Sequence, residues 1–180
     1  EKAILSAKKI NELLGKEVAS GFNNKEAAKL AEIIVLTIPF SNHSEIIMEI
    51  KDEAQGKIVV DTTVPLIPPK VSRVQLPESG SVAKLAQEKL GQNVRLVSAF
   101  QNVAATALAS NETLEGEVLV CGNDVEARST VISIVEAAGL KGWHAGPIDN
   151  SVVSESLTPI LIFLNKRYKL NGSGIRIVEH

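Results

Sequence analysis

The chain has 180 residues, of which 44% are hydrophobic, 22% charged and only 3% aromatic, and its formal net charge at pH 7 is −2. This size and apolar content predict a compact domain with a sizeable core, and the small charge and scarce aromatic rings argue against nucleic acid or an anionic membrane as partner. The single cysteine, Cys121, excludes an intrachain disulfide framework, and we expect it to be a buried apolar side chain in a cytoplasmic protein.

The predicted elements begin with a helix that Gly15 ends. Its apolar residues recur at helical spacing, forming a stripe that consists of Ile4, Leu5, Ile10, Leu13 and Leu14. Residues 18–22 are expected to form either a short strand or an extended loop. Asn23 or Asn24 can cap the next helix, which is predicted to run to Ala31.

An unbroken apolar run, Ile33–Leu36, predicts the first strand of a sheet. Because it lacks polar alternation, it is typical of a strand buried on both faces of a parallel sheet. Pro39 ends this strand, and Ser41 or Asn42 can cap a following helix over 42–53. Ligands bind outside the carboxyl ends of strands in open α/β sheets, so we expect this junction to form one wall of a site.

The rest of the chain repeats the alternation of strands and helices. Strands are predicted at 57–62, 94–100, 117–121 and, at a sheet edge, 143–147; helices are predicted at 81–90, 102–109, 124–138 and 151–168. The proline-rich segment 63–79 is interpreted as a loop over the sheet, with an interdomain linker as the alternative. The pattern predicts an α/β fold with a doubly wound, mostly parallel sheet.

Residue types alone leave little room for acid–base, nucleophilic or metal chemistry. No G-x-S-x-G elbow surrounds a serine, and the histidines show no metal-ligand spacing. Neither of the glycine-rich phosphate-binding motifs occurs in the chain. The expected crevice would be lined by residues 37–43, 62–64 and 100–106, which are neutral and mostly small, and it therefore favours a flat organic ligand.

A series of motifs in order, IVLTIPF, GKIVVDTTVPL, VRLVSAFQNVAA, VLVCGND, HAGPIDNS and GSGIRI, resembles the NADPH-dependent deazaflavin reductases. These are NADP oxidoreductases that use coenzyme F420, and the resemblance covers essentially the whole chain. It implies a Rossmann-type NADP-binding domain over 1–110 and a smaller C-terminal helical or cap part over 111–180. It also implies a homodimer and direct hydride transfer between NADP and coenzyme F420, without a catalytic side chain or a metal.

Members of that family open with a strand and a glycine-rich turn, followed by a second strand that ends in a Ser-Arg pair. Residues 1–3, Glu-Lys-Ala, resemble the start of the helix after that pair. We therefore expect that about 30 residues, one βαβ unit, are missing before residue 1.

The resemblance also implies seven cofactor contacts: Lys2, Ile38, Asn42, His43, Val64, Ala105 and Ser173. Lys2 would face a phosphate, Ile38 and either Asn42 or His43 the adenosine and phosphate edge, and Val64 the nicotinamide. Ala105 would lie where the nicotinamide and deazaflavin rings meet, and Ser173 would close over them.

The chain has Gln101 where some relatives have His and Ala104 where some have Pro. Two alternatives to the deazaflavin activity therefore remain open. One is an NADP-dependent reductase of a flavin or a ferric complex, which a weaker resemblance to the NADPH domain of membrane ferric reductases suggests. The other is a nucleotide-binding domain without turnover, which is favoured if the natural protein lacks the N-terminal βαβ unit.

Overall fold

The computed structural model describes residues 1–109 and 114–179. The described helices are α1 (Lys2–Leu14), α2 (Asn24–Leu30), α3 (Phe40–Ile50), α4 (Val82–Leu90), α5 (Ala105–Leu108), α6 (Val125–Ala137) and α7 (Ser151–Tyr168), with a 3₁₀ turn at Ile148–Asn150. The described strands are β1 (Ile33–Leu36), β2 (Ile58–Asp61), β3 (Arg95–Ser98), β4 (Glu117–Gly122) and β5 (Lys141–His144).

The five strands form one sheet in the order β1-β2-β3-β4-β5. The pairs β1–β2, β2–β3 and β4–β5 are parallel, whereas β3 and β4 are antiparallel. One cluster of buried residues joins Val59 and Leu96 to α3 and α4, and a second joins Val60 and Val97 to α6. Since alternate strand residues point to opposite faces, both faces carry helices, and the predicted mostly parallel α/β fold is confirmed.

The prediction that β1 is buried on both faces is wrong for the described residues. Ile34 and Leu36 are buried, but Val35 between them is 48% exposed. The face of Ile34 and Leu36 packs against the helices α2 and α3. The other face is only partly covered: Ile33 packs against the second cluster, whereas Val35 is exposed, and β1 lies at the end of the strand order. An apolar run alone therefore did not distinguish a strand covered once from a strand covered twice.

The first helix forms as predicted, and Gly15 ends it in the left-handed conformation. The five residues of its apolar stripe are nevertheless exposed, while Ala7 and Asn11 are buried. The Asn11 carboxamide accepts hydrogen bonds from the amides of Val18 and Ala19 and donates one to the Ala19 carbonyl. These bonds hold the next segment as an extended loop, the second of the two expected alternatives.

Two of the predicted helix starts differ in outcome. Asn23 caps α2 by accepting a hydrogen bond from the amide of Glu26, as predicted. The helix α3 begins at Phe40, with Pro39 as N-cap, so the prediction that Ser41 or Asn42 caps it is wrong. Proline at the N-cap already has an extended ψ of 146°, which lets the helix begin directly after it and puts Ser41 and Asn42 inside the first turn.

The C-terminal elements largely follow the prediction. The helix α7 has the predicted bounds, and the proline-rich segment 63–79 contains neither helix nor strand. The edge strand β5 begins two residues earlier than expected. The predicted boundary between positions 110 and 111 lies outside the described residues. No helix in the described part of the chain is long and apolar enough to cross a membrane.

Candidate functional site

Three segments follow the parallel strands β1, β2 and β3 and lie at one edge of the sheet. They are residues 37–43, 62–64 and 100–106, the segments expected to line a crevice. The second segment is joined directly to the end of β1, because the backbone amide and the hydroxyl of Thr62 both donate to the Leu36 carbonyl, at 3.2 and 2.8 Å. The carboxyl edge of a parallel sheet is the usual position of a ligand crevice in α/β folds.

A buried polar pair, His43 and Asp61, lies at this edge of the sheet. His43 is 0% and Asp61 1% exposed, and His43 Nε2 lies 2.7 Å from Asp61 Oδ2. The other carboxylate oxygen, Oδ1, accepts a hydrogen bond from the amide of Thr63 at 3.0 Å. His43 therefore fastens α3 to the end of β2. Asn42 is exposed, so of the two alternatives it is the one whose side chain is open to a ligand.

The turn after β3 is built around a buried glutamine. Phe100 adopts a left-handed φ of 70°, a conformation that is uncommon for a bulky residue and concentrates at functional sites. Gln101 Nε2 donates to the carbonyl of Asp61 and to the hydroxyl of Ser98, each at 2.8 Å. The Gln101 carbonyl in turn accepts from the hydroxyl of Thr158 on α7 at 2.7 Å. Gln101 thus joins β2, β3 and α7.

A second buried carboxylate, Glu155 on α7, caps the helix α4. It is 1% exposed and accepts hydrogen bonds from the amides of Val82 at 2.7 Å and Ala83 at 3.1 Å. Burial raises the pKa of Glu155 to about 7; the two amides oppose this rise, and the nearby charge of Asp61 adds to it. Neither this cap nor the Asp61 pairing has a local sequence signal, since each joins residues that are far apart in the chain.

The expectation that Cys121 is a buried apolar side chain is confirmed. Its side chain is 1% exposed at the end of β4. Burial raises the pKa of the thiol to about 11, so the reactive thiolate is scarce at neutral pH.

A cavity of about 420 Å³ lies between the turn after β3 and the C-terminal tail. The turn after β3 and the start of α5 contribute Asn102, Val103, Ala104, Thr106 and Ala107 to its lining. The remaining lining residues are Leu114, Glu115, Gly116 and Leu140, together with residues 171–174 of the tail. The structure therefore brings the predicted site residue Ser173 to the turn after β3. Ala104 lines this cavity, whereas Ala105, at the first position of α5, is not among its lining residues; both residues are exposed.

The other predicted contact residues lie apart from this cavity. Ile38 and Val64 are half-buried after β1 and β2, with Ile38 packed against the core. Lys2 is exposed in the first turn of α1, and no hydrogen bond within the described residues joins it to the other predicted contacts. The seven contacts remain predictions. No group of three or more potential metal ligands occurs among the described residues.

Known proteins resemble the chain in sequence and in fold. A family model described as coenzyme F420-dependent NADP oxidoreductase matches residues 2–65. F420-dependent NADP reductases from Methanocaldococcus jannaschii and Methanothermobacter thermautotrophicus are 39% and 30% identical to the chain, over 99% of it and over 84% and 81% of their own lengths. A crystal structure from Arthrobacter sp. FB24, 20% identical, has the same fold, with a TM-score of 0.77 over 87% of this chain and 73% of that one. The chain therefore belongs to the family of NADP oxidoreductases that depend on coenzyme F420.

Proposed function

We propose that this chain is an NADP-dependent oxidoreductase that transfers a hydride between NADP(H) and coenzyme F420. The observation that carries the proposal is the 39% identity to an F420-dependent NADP reductase, which extends over 99% of the chain. A similarity that extends over the whole length, with the motifs in the same order, is far more specific than any single motif. The domain that binds NADP would be residues 1–110, and residues 111–180 would complete the deazaflavin pocket.

The described residues fit two flat ring systems. The cavity beside Ala104 is about 420 Å³ and is lined mainly by small residues, which permit a close approach of a ring. Asn102 Oδ1 and Ser173 Oγ, both in residues at its wall, are buried without a hydrogen-bond partner and could pair with the polar edge of a ligand. The crevice segment 37–43, which includes Ile38 and the exposed Asn42, would hold the dinucleotide together with Lys2 and Val64.

The residues of the chain would act by binding and orientation. NADP and coenzyme F420 themselves supply the atoms between which the hydride moves. Asp61 and His43 are buried and already hydrogen-bonded to each other, so they support the edge of the crevice rather than exchange protons with a substrate. Glu155 is buried as well and caps α4. Holding two rings at a distance of about 3–3.5 Å makes the reaction between them effectively unimolecular, which can lower its activation free energy by roughly several kcal/mol.

The activity is tested by mixing the full-length protein, NADPH and the oxidised deazaflavin and following the absorbance of both. We expect NADPH to be consumed in step with reduction of the deazaflavin. Transfer to a free flavin or to a ferric complex, with none to the deazaflavin, would favour the reductase alternative. Tight NADPH binding without any transfer would favour a domain that binds nucleotide without turnover.

The position of the rings is tested by a pair of alanine variants. Ala104→Phe places a phenyl ring in the cavity wall, and we expect it to raise KM for the deazaflavin and to lower kcat, together at least about tenfold in kcat/KM. Ala105→Phe tests the contact implied by the family resemblance. If the rings meet at Ala105, its substitution has the larger effect; if they occupy the cavity, Ala104→Phe does. Unchanged kinetics in both variants would contradict a ring site at this turn.

We also propose a cytoplasmic homodimer. The helix α7 leaves Val153, Ile160 and Phe163 exposed, and an apolar surface of this kind is typical of a subunit interface. The molar mass in solution, measured by light scattering, should be twice that of the chain, and a monomeric mass at micromolar concentration would contradict the dimer. The cytoplasmic location is proposed because a single cysteine fits a protein of a reducing compartment.

A further inference from the structure

Glu117, the first residue of β4, contacts one wall of the cavity described above and the tail segment that directly follows its opposite wall. Its carbonyl accepts a hydrogen bond from Asn102 Nδ2 at 2.8 Å, on the wall formed by the turn after β3. Its amide donates to the carbonyl of Ile175 at 3.1 Å, and its carboxylate Oε2 accepts from the amide of Ile177 at 2.6 Å, both in the C-terminal tail. The tail residues 171–174 form the opposite wall. Glu117 therefore joins the turn after β3 to the part of the tail that follows this wall.

The carboxylate of Glu117 is also fixed from the side of the sheet. Trp143 Nε1 on β5 donates to the same Oε2 at 2.8 Å, and Lys141 Nζ lies 3.9 Å from the centre of the Trp143 ring. Hydrogen bonding from Ile177 and Trp143, with the charges of Lys141 and Arg176, holds the pKa of Glu117 below its usual range. The side chain is therefore ionised at neutral pH, and its hydrogen bonds to the tail are charge-assisted.

Few other described bonds attach the tail to the rest of the chain. The helix α7 ends at Tyr168. Two hydrogen bonds are described for residues 171–179: the Glu117 amide donates to the Ile175 carbonyl, and the Ile177 amide donates to the Glu117 carboxylate. Between the end of α7 and this attachment lies Ser173, one of the cavity-lining residues. The position of Ser173 therefore depends on where Glu117 holds the residues that follow it.

We propose that Glu117 is a positioning residue: its carboxylate anchors the C-terminal tail and so places Ser173 at the wall of the ring cavity. Glu117 contacts the tail, and the tail forms the wall, so Glu117 acts on binding through another segment. The inference deepens the proposed function, on which its kinetic part rests. It assigns the tail to the deazaflavin side, because the cavity lies beside Ala104 and away from the exposed Asn42.

The anchor can be tested without turnover, through trypsin cleavage after Arg176 in the full-length protein. In the wild type, hydrogen bonds hold the residues on both sides of Arg176, which slows cleavage. We expect Glu117→Ala to accelerate cleavage at this bond at least about tenfold, as measured by mass spectrometry. Glu117→Gln keeps an acceptor oxygen and should restore most of the protection. Trp143→Phe removes one of the two donors to the Glu117 carboxylate but leaves the hydrogen bond from the Ile177 amide. This variant tests the anchor if Glu117→Ala folds poorly. Glu179→Gln, an exposed change in the same tail, is the matched control.

Kinetics then link the anchor to the cavity. In Glu117→Ala, KM for the deazaflavin should rise about tenfold, while the dissociation constant of NADPH should stay within about twofold of the wild type. Faster cleavage without a change in KM would overturn the proposal, since the tail would then be anchored but not part of the site. Wild-type cleavage in Glu117→Ala would overturn it as well. An inactive wild type would count against the proposed function alone, because cleavage rates judge the anchor independently.

Discussion

Replacing Asp61 by alanine should lower the free energy of unfolding by about 3 kcal/mol. The substitution removes the acceptors of two buried donors, His43 Nε2 and the amide of Thr63, in a region from which water is excluded. A buried polar group without a partner costs more than the hydrogen bond itself contributed, because it has also lost its water. Urea denaturation followed by circular dichroism measures the change.

The matched control is Asp52→Ala, which removes an exposed carboxylate shortly after α3 and should change stability by less than about 0.5 kcal/mol. Asp61→Asn keeps an acceptor oxygen and should therefore lose less stability than Asp61→Ala. A double-mutant cycle with His43→Ala isolates the coupling between the two side chains. A loss below about 1 kcal/mol in Asp61→Ala would show that the pair does not support the crevice.

The second large effect concerns the pH dependence of stability, which Glu155 should dominate between about pH 5 and 7. Its pKa rises from the usual 4.5 to about 7 in the folded protein. In this interval the native state binds a proton that the unfolded state has released, so raising the pH favours unfolding. The stabilisation is complete below the unfolded pKa and is lost as the pH rises through the folded pKa. The shift corresponds to roughly 3 kcal/mol over the whole interval.

The test compares the slopes of the free energy of unfolding against pH, because Glu155→Gln changes the α4 cap at every pH. Wild-type stability should fall from pH 5 to pH 8, and the fall should be much smaller in Glu155→Gln. Glu136→Gln, an exposed change on α6, should keep the wild-type slope. Glu117 and Asp149 have lowered pKa values, so their stabilisation is lost only at acid pH, below the interval used. Parallel slopes in the wild type and Glu155→Gln would contradict the raised pKa.

Both effects involve residues whose partners the sequence does not reveal. Asp61 was visible as a polar residue at the end of a strand, but its partner lies 18 residues earlier, on a helix that follows a different strand. Glu155 and Val82 are 73 residues apart. Contacts at such separations depend on which strands are neighbours and on where a helix crosses them, and periodicity carries neither kind of information.

The sequence by itself determined the alternation of strands and helices, the family and the three segments at the sheet edge. These depend on local patterns and on the order of motifs, which are readable in one dimension. Only the tertiary structure decided that β3 and β4 are antiparallel, that His43 is buried while Asn42 is exposed, and that Ala104 lines the cavity. The physical reason is that burial and pairing are properties of what packs against a residue. Neighbouring residues in one crevice segment therefore end up in opposite environments.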